Sequence, residues 1–298
     1  MSTPQTAARD EGFGDDAPEP GTRLRGGRRS RGLHIYTWVV IGWLMLPIVV
    51  MIAFGFNNTT GKFNFAWQGF TLRWWEHPFA IQDLTGALVN SITIALIATA
   101  LATIFGTLLG IALGRHRFRG KGLVDLVLFA NIAAPEIVLG AALLSLFVTL
   151  GVNRGYVTIV IAHVMFDIAY VAVTVRARMA GVDPSIEEAA RDLGAGPWAT
   201  FRLVTIPVIL PGIVAGALLA FALSIDDYII TQFNAGQTLT FPLWVYGATR
   251  FGVPPQVNVI GTMIFTVGVL LAVVNGLVVQ RRRTWKPLSP ALGEGATE

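Results

Sequence analysis

Acidic side chains inside long apolar stretches are the residues of this chain best placed to do chemistry. The adjacent carboxylates Asp226 and Asp227 lie in one such stretch, and Glu136 follows Pro135 in another. An ionisable residue within a membrane span is energetically costly and marks a functional site by default. Carboxylates also attract a cation more strongly in a low-dielectric passage than in water. The pattern therefore indicates a site that attracts cations.

These acids also have structural alternatives. Because neighbours on a helix point about 100° apart, Asp226 and Asp227 need not face one cavity. One or both can instead cap the end of the span or pair there, with Arg250 as a partner. His163 and Asp167 share a helix face through their i, i+4 spacing and can satisfy each other. The sequence alone leaves these roles open.

Glu136 is harder to explain as a structural residue, because it has no obvious local partner. Pro135 removes a backbone donor, so we expect the helix to be unwound locally at this point. Cysteine is absent, which excludes disulfides and thiolate metal sites. We predict no catalytic residue, metal site or cofactor.

The elements that position these acids are predicted membrane spans. The chain is 53% apolar and 13% charged, whereas soluble domains carry about 25% charged residues. A span needs about 20 mostly apolar residues. Six stretches qualify, namely 36–56, 88–113, 123–150, 156–175, 208–231 and 259–279. The sequence thus predicts an all-α integral membrane fold with six transmembrane helices.

Basic residues give the orientation of these spans. Clusters precede the first stretch and follow the second, fourth and sixth, beginning at Arg23, Arg115, Arg176 and Arg281. Because Lys and Arg favour the cytoplasmic side, both termini and the interval 177–207 are predicted to be cytoplasmic. No nucleic-acid motif accompanies the clusters. We predict a disordered tail over 1–32, a transmembrane domain over 33–283 and a second tail over 284–298.

The interval 177–207, here called the 177–207 loop, holds the longest polar, charge-bearing segment on its side of the chain. Asp183-Pro184 predicts a helix start, with an N-cap acceptor before a proline at the first helical position. Ser185 and Glu188 offer a competing capping box. A helix-forming polar segment between two spans indicates contact with something in the water.

The second half of the loop predicts another short helix. Gly194 ends the first helix, Pro197 opens the second, and Pro207 and Pro211 are expected to break the chain before the fifth span. An apolar stripe follows from the spacing of Trp198, Phe201 and Val204. The result is an amphipathic helix–turn–helix that either contacts a partner or lies on lipid.

The motif Glu188-Ala189-Ala190-x-x-x-Gly194, followed by Val204-x-Ile206-Pro207, resembles the EAA loop of permease subunits of binding-protein-dependent ABC transporters. The usual ending is Ile-x-Leu-Pro, so Val204 and Ile206 are conservative departures. In that family the loop docks into a groove of the ATPase subunit. The resemblance implies an ATPase-docking loop that comprises Glu188, Ala189, Ala190, Gly194, Pro197 and Pro207.

Further motifs between residues 32 and 283 resemble the second permease subunit of spermidine/putrescine importers. They are Ala134-Pro135-Glu136-Ile137-Val138, His163 with Phe166, Ser224-Ile225-Asp226-Asp227, Thr240-x-Pro242-Leu243-x-Val245-Tyr246 and Arg250-Phe251-Gly252-x-x-Pro255. Glu136 stands where that type often has Asp. A polyamine pathway needs spaced carboxylates, and aromatic faces add cation–π contacts. We expect this pathway to include Glu136, Asp226, Asp227, Tyr228, Trp244 and Tyr246.

The resemblance implies one subunit of an ATP-driven importer that works by alternating access in the bacterial inner membrane. Because no Walker-type motif occurs, the chain is expected not to be an enzyme itself. The implied partners are two ATPase subunits, a sibling permease that is a paralogue or a second copy, an extracytoplasmic binding protein and the lipid bilayer. No nucleic-acid partner is expected.

Two alternatives to a polyamine importer remain at this point. The first is an ABC permease for another solute. The second is an ion-coupled carrier acting alone, which would suit the acidic pairs but would not explain the 177–207 loop. We also find no internal symmetry of the kind that many secondary carriers carry.

Overall fold

The computed structural model describes residues 31–61 and 63–283, in which helices predominate and no strand occurs beyond an isolated β-bridge between Asn57 and Phe70. The predicted tails lie outside these residues, except that Arg31 and Gly32 begin the first helix. A π-helical turn spans Phe201–Thr205. The helices are α1 (Arg31–Phe54), α2 (Arg73–Glu76), α3 (Gln82–Arg115), α4 (Lys121–Ala133), α5 (Glu136–Thr149), α6 (Tyr156–Ala180), α7 (Ser185–Asp192), α8 (Pro197–Thr200), α9 (Ile206–Asp226), α10 (Ile229–Asn234), α11 (Phe241–Ala248) and α12 (Pro255–Arg283).

The helices fit the predicted spans, except that the third and fifth predicted stretches are interrupted. Five helical segments of the described chain are long and apolar enough to cross a membrane, and the pair α4 and α5 makes a sixth if it counts as one span. The third predicted stretch is not one helix, because α4 and α5 meet at a bend of 110°. Ala134 and Pro135 are extended at this break. Proline disfavours helical backbone in the residue before it, which explains the interruption.

Close packing of α3 on α6 forms the centre of the unit that begins at Ile48. Gly110 allows it, because a Cβ there would lie 2.7 Å from the carbonyl oxygen of Ala172 and 2.9 Å from Cβ of Val175. A Cβ at Gly106 would likewise lie 2.7 Å from Val171. Small residues let helix backbones approach closely in this way. The glycine spacing of α3 therefore serves packing within one chain.

Helix α9 packs against both α3 and α6. Gly212 receives the side chain of Arg178, since a Cβ there would lie 2.6 Å from Cβ of Arg178. Further along, Gly216 lies against Val171. The shared core contains Ala102, Ile111, Val171, Val175, Met179, Ile209 and Ala220. These three helices give a common frame to the residues singled out above.

The fifth predicted stretch also ends earlier than expected. Helix α9 stops at Asp226, and Asp227 has extended backbone before the short helix α10 begins. Helix α10 packs on α5, where Gly140 lies against Phe233 and Ile230. The two adjacent carboxylates therefore lie at a helix end beside a second broken region, instead of within a continuous span.

Candidate functional site

The first helix of the 177–207 loop starts as its sequence predicts. The Ser185 N–H donates to Oδ1 of Asp183 at 2.9 Å, and Pro184 has helical backbone. This hydrogen bond lowers the pKa of the Asp183 carboxyl below its usual value. The competing capping box is wrong, because Ser185 lies inside α7 and the residue before α7 makes no capping bond. Asp183 therefore fixes where α7 begins.

Gly194 ends α7 through a left-handed turn. Its φ is +85°, a conformation that glycine adopts without strain. The N–H groups of Gly194 and Ala195 donate to the carbonyls of Arg191 and Ala190 at 2.9 and 3.0 Å. Such bonds satisfy the last carbonyls of a helix. The predicted turn between two helices is confirmed.

The expected breaks at Pro207 and Pro211 are wrong. Pro197 opens α8, and the helical path continues through the π turn into α9 as one segment, Pro197–Asp226. The Ile206 N–H bonds to the Phe201 carbonyl across this wider turn. Pro207 follows directly, near the start of α9. Proline cannot donate the usual backbone hydrogen bond. The wider π turn in front of it accommodates this loss, so the helix continues.

The predicted docking residues lie on an exposed surface. Glu188, Ala189, Gly194, Pro197 and Pro207 are exposed, whereas Ala190 is half-buried. Large apolar side chains extend this surface: Leu193 is 89% exposed, Trp198 71% and Leu203 70%. Exposed apolar side chains next to a membrane span contact either a protein partner or lipid. The loop therefore presents a face with both polar and apolar character.

Sequence reasoning missed Glu187, which is buried next to the exposed Glu188. Its Oε2 accepts from Nη2 and Nε of Arg115 at 3.0 and 3.1 Å. Its Oε1 accepts from the hydroxyl of Thr205 at 2.9 Å. The two glutamates look alike in sequence and differ only in the face of α7 that they occupy. The sequence around α7 holds no local signal that separates Glu187 from Glu188.

Asp227 is a capping and pairing residue at the start of α10. Its Oδ2 accepts from the N–H and the hydroxyl of Thr231 at 2.7 and 2.6 Å, and its Oδ1 from the Ile230 N–H at 3.3 Å. Nε2 of His163 lies 3.3 Å from Oδ2. The structural alternative for Asp227 is thus confirmed, but with His163 instead of Arg250 as the partner.

The interpretation of His163 and Asp167 as a mutually satisfied pair is wrong. Nδ1 of His163 lies 2.6 Å from the Ser224 hydroxyl, and Nε2 lies 2.9 Å from the Thr231 hydroxyl. Asp167 is fully buried, and neither of its carboxylate oxygens has a hydrogen-bond partner among the described residues. His163 therefore connects α6 to α9 and α10 instead of bonding within its own helix.

Asp226 faces open space, unlike Asp227. It lines a cavity of about 430 Å³ together with Tyr228 and Tyr246, whose ring centroids are 4.6 Å apart. It also borders an apolar groove of about 880 Å³, where it is the only charged residue among the described residues of the lining. The guanidinium of Arg250 lies 5.7 Å from the Tyr246 ring centroid. The cavity thus places the carboxylate of Asp226 beside two aromatic faces.

The remaining predicted pathway residues lie elsewhere. Glu136 is exposed at the first position of α5, close enough to Asp226 and Asp227 for their charges to interact. Trp244 is half-buried and packs in a cluster with Leu84 and Ile260. The structure therefore brings Asp226, Tyr228 and Tyr246 to one cavity and places Glu136 in electrostatic range of the acids.

We expect neutralisation of the two adjacent carboxylates to affect thermal stability differently. Asp227→Asn removes a charged acceptor of three bonds, and hydrogen bonds to charged groups contribute about 1.5–3 kcal/mol each. We expect a lower midpoint of thermal unfolding in detergent for Asp227→Asn. Asp226→Asn, which breaks no ion pair among the described residues, serves as the matched control and keeps the wild-type midpoint. Equal midpoints for the two variants would contradict the capping role.

Comparison with known proteins places the chain in a family. Residues 106–284, more than half of the chain, match the family "Binding-protein-dependent transport system inner membrane component". The spermidine/putrescine transport system permease protein PotC of Haemophilus influenzae is 36% identical over 249 residues, covering 83% of this chain and 96% of that protein. The putrescine transport system permease protein PotI of Escherichia coli is 38% identical over 230 residues, covering 74% and 81%.

Solved structures share the fold at low identity. A bacterial alginate ABC transporter, solved in complex with its pentasaccharide-bound periplasmic protein, has a TM-score of 0.60 at 13% identity and covers 87% of this chain and 97% of that chain. The methionine ABC transporter MetNI in an inward-facing conformation has a TM-score of 0.57 at 16% identity, covering 66% and 95%. The chain is a multi-pass membrane protein that belongs to the family of inner-membrane permease components of binding-protein-dependent ABC transport systems.

Proposed function

We propose that this chain forms part of the membrane passage of an ATP-driven importer for polyamines. The observation that carries the substrate class is the cavity in which Asp226 lies beside Tyr228 and Tyr246. A carboxylate attracts an ammonium group, and aromatic faces bind cations through cation–π contacts. The identity to permeases named for spermidine and putrescine supports the same class.

A spaced set of acids suits a flexible cation with several charges. Asp226 lines the cavity, while Glu136 lies in electrostatic range at the break between α4 and α5. Asp227 is occupied by His163 and Thr231, so its part is to shape the region around Asp226. In this proposal one ammonium group binds at Asp226 and another is attracted by Glu136. Trp244 supports the wall from the cluster behind it.

The 177–207 loop is proposed to dock on an ATPase subunit in the cytoplasm. Its exposed residues Glu188, Ala189 and Gly194 match the family motif, and Leu193 and Trp198 add apolar area. A surface that only lay on lipid would not need the sharp turn at Gly194 between two helical faces. Both termini are then cytoplasmic, in agreement with the basic clusters.

The complete transporter is proposed to contain two ATPase subunits, a sibling permease and an extracytoplasmic binding protein. ATP hydrolysis takes place in the ATPase subunits, and this chain moves between inward-facing and outward-facing states. The three-part division into a tail over 1–32, a transmembrane domain over 33–283 and a tail over 284–298 belongs to the same proposal. Family membership favours this arrangement over an ion-coupled carrier acting alone.

Substitution of Gly194 tests docking. Gly194→Glu places a side chain where φ is +85° and adds a negative charge to the exposed turn. We expect loss of transport and a drop in ATPase co-purification by about tenfold, which corresponds to about 1.4 kcal/mol. The matched control is Gly151→Glu, because Gly151 also has positive φ, +66°, and open space around it, but lies between α5 and α6. Normal ATPase capture by Gly194→Glu would contradict docking.

Neutralisation of Asp226 tests the substrate class. In proteoliposomes that contain the complete transporter, we expect ATP-dependent uptake of radiolabelled spermidine that an amino acid or a sugar does not compete away. Asp226→Asn should lower uptake at subsaturating spermidine by about tenfold, since the cation loses one charge partner. Glu76→Gln, which neutralises an exposed carboxylate on α2, should transport normally.

Two results would count against the substrate proposal. The first is unchanged spermidine uptake in Asp226→Asn with a properly assembled complex. The second is competition by a neutral sugar but not by putrescine, which would assign the chain to another solute while leaving its family membership intact.

A further inference from the structure

Glu187 has a connecting role that the docking surface alone does not require. It lies on the inner face of α7, is 8% exposed and uses both carboxylate oxygens. Glu188, the next residue, is exposed and belongs to the family motif. Burying a carboxylate is unfavourable unless it is paired and hydrogen-bonded. The residues that Glu187 contacts on this inner face therefore indicate what it does.

The partners of Glu187 come from two different spans. Arg115 is the last residue of α3, and two of its guanidinium nitrogens lie 3.0 and 3.1 Å from Oε2 of Glu187. Thr205 is the last residue of the π turn and donates to Oε1 at 2.9 Å. One carboxylate therefore joins the loop helix, the end of α3 and the turn that leads into α9.

Both spans continue from this junction to the region of the acidic site. Helix α9 runs from the π turn to Asp226, the carboxylate that lines the cavity. Helix α3 runs back to Ser91, whose hydroxyl accepts from the N–H of Phe241, and Phe241 lines the same cavity. A displacement of α7 thus reaches two walls of the cavity through continuous helices.

The geometry of the junction suits force transmission better than binding. The side chains of Arg115 and Glu187 are only 18% and 10% exposed. Water and salt therefore weaken the attraction between them little. A buried pair is costly to separate, because removing one partner leaves an uncompensated buried charge. By contrast, the pair of Arg176 and Asp125, between α6 and α4, is 41% and 33% exposed and includes no residue of the loop.

We propose that Glu187 is a positioning residue that transmits movement of the 177–207 loop to α3 and α9 during the transport cycle. The proposal rests on the proposed docking of this loop on an ATPase. In this role Glu187 does not contact the ATPase and does not hold substrate. Loss of its charge leaves docking intact and separates ATP hydrolysis from transport.

The test measures spermidine transported per ATP hydrolysed, using the complete transporter in proteoliposomes. Glu187→Gln keeps the size of the side chain and an acceptor for Thr205 but loses the charge that pairs with Arg115. We expect ATPase co-purification and ATP hydrolysis near wild-type levels, with transport per ATP lowered about fivefold or more. The double variant Arg115→Gln with Glu187→Gln should be no worse than either single variant, because the pair acts as a unit.

Two control variants keep the interpretation specific. Asp192→Asn neutralises an exposed acid at the end of the same helix, and Asp125→Asn breaks the more exposed ion pair with Arg176. Both should keep the wild-type ratio of transport to hydrolysis. A wild-type ratio in Glu187→Gln overturns the proposal, and so does loss of ATPase co-purification, since Glu187 would then serve only to shape the docking surface. A failure of the docking proposal would show separately, as normal ATPase capture by Gly194→Glu.

Discussion

The close contact between α3 and α6 is the constraint on which the described bundle depends. Gly106 and Gly110 leave room for Val171, Ala172 and Val175 at distances that no Cβ would tolerate. With α6 fixed against α3, His163 is directed towards α9 and α10, where it meets Ser224 and Thr231. The same packing sets the end of α3, and with it Arg115, beside the 177–207 loop. One helix contact thus positions both functional regions.

These two regions use buried polar contacts in different ways. At the acidic site, Asp227 is held by His163 and the start of α10, which leaves its neighbour Asp226 facing the cavity. In the 177–207 loop, Glu187 is held by Arg115 and Thr205, which leaves its neighbour Glu188 exposed. In both pairs of adjacent acids, one carboxylate is structural and the other is free to interact. For the two glutamates that division follows from helix geometry, because adjacent side chains of α7 point in different directions. For the two aspartates it follows from the end of α9, where Asp227 has extended backbone.

The sequence predicts much of this architecture, because membrane spans and helix caps leave strong local signals. Apolar length identified the spans, and Asp183 and Gly194 marked the ends of α7. What the sequence could not predict depends on contacts between distant segments. The bend of 110° between α4 and α5 needs packing partners, although Pro135 marked its place. The pairing of His163 with Asp227, and not with Asp167, depends on how α9 ends. The burial and the contacts of Glu187 depend on how α7 packs against the spans.

The central claim is that the 177–207 loop connects an ATPase to a passage for cations, and one cross-linking measurement tests it most directly. The chain contains no cysteine, so Leu193→Cys introduces a single thiol on the exposed face of the loop. In membranes that carry the complete transporter, a thiol-reactive photo-cross-linker at this position should join the chain to the ATPase subunit, with a yield that changes when ATP is added. Attachment to lipid alone, with the thiol equally reactive with and without the ATPase, would contradict the account.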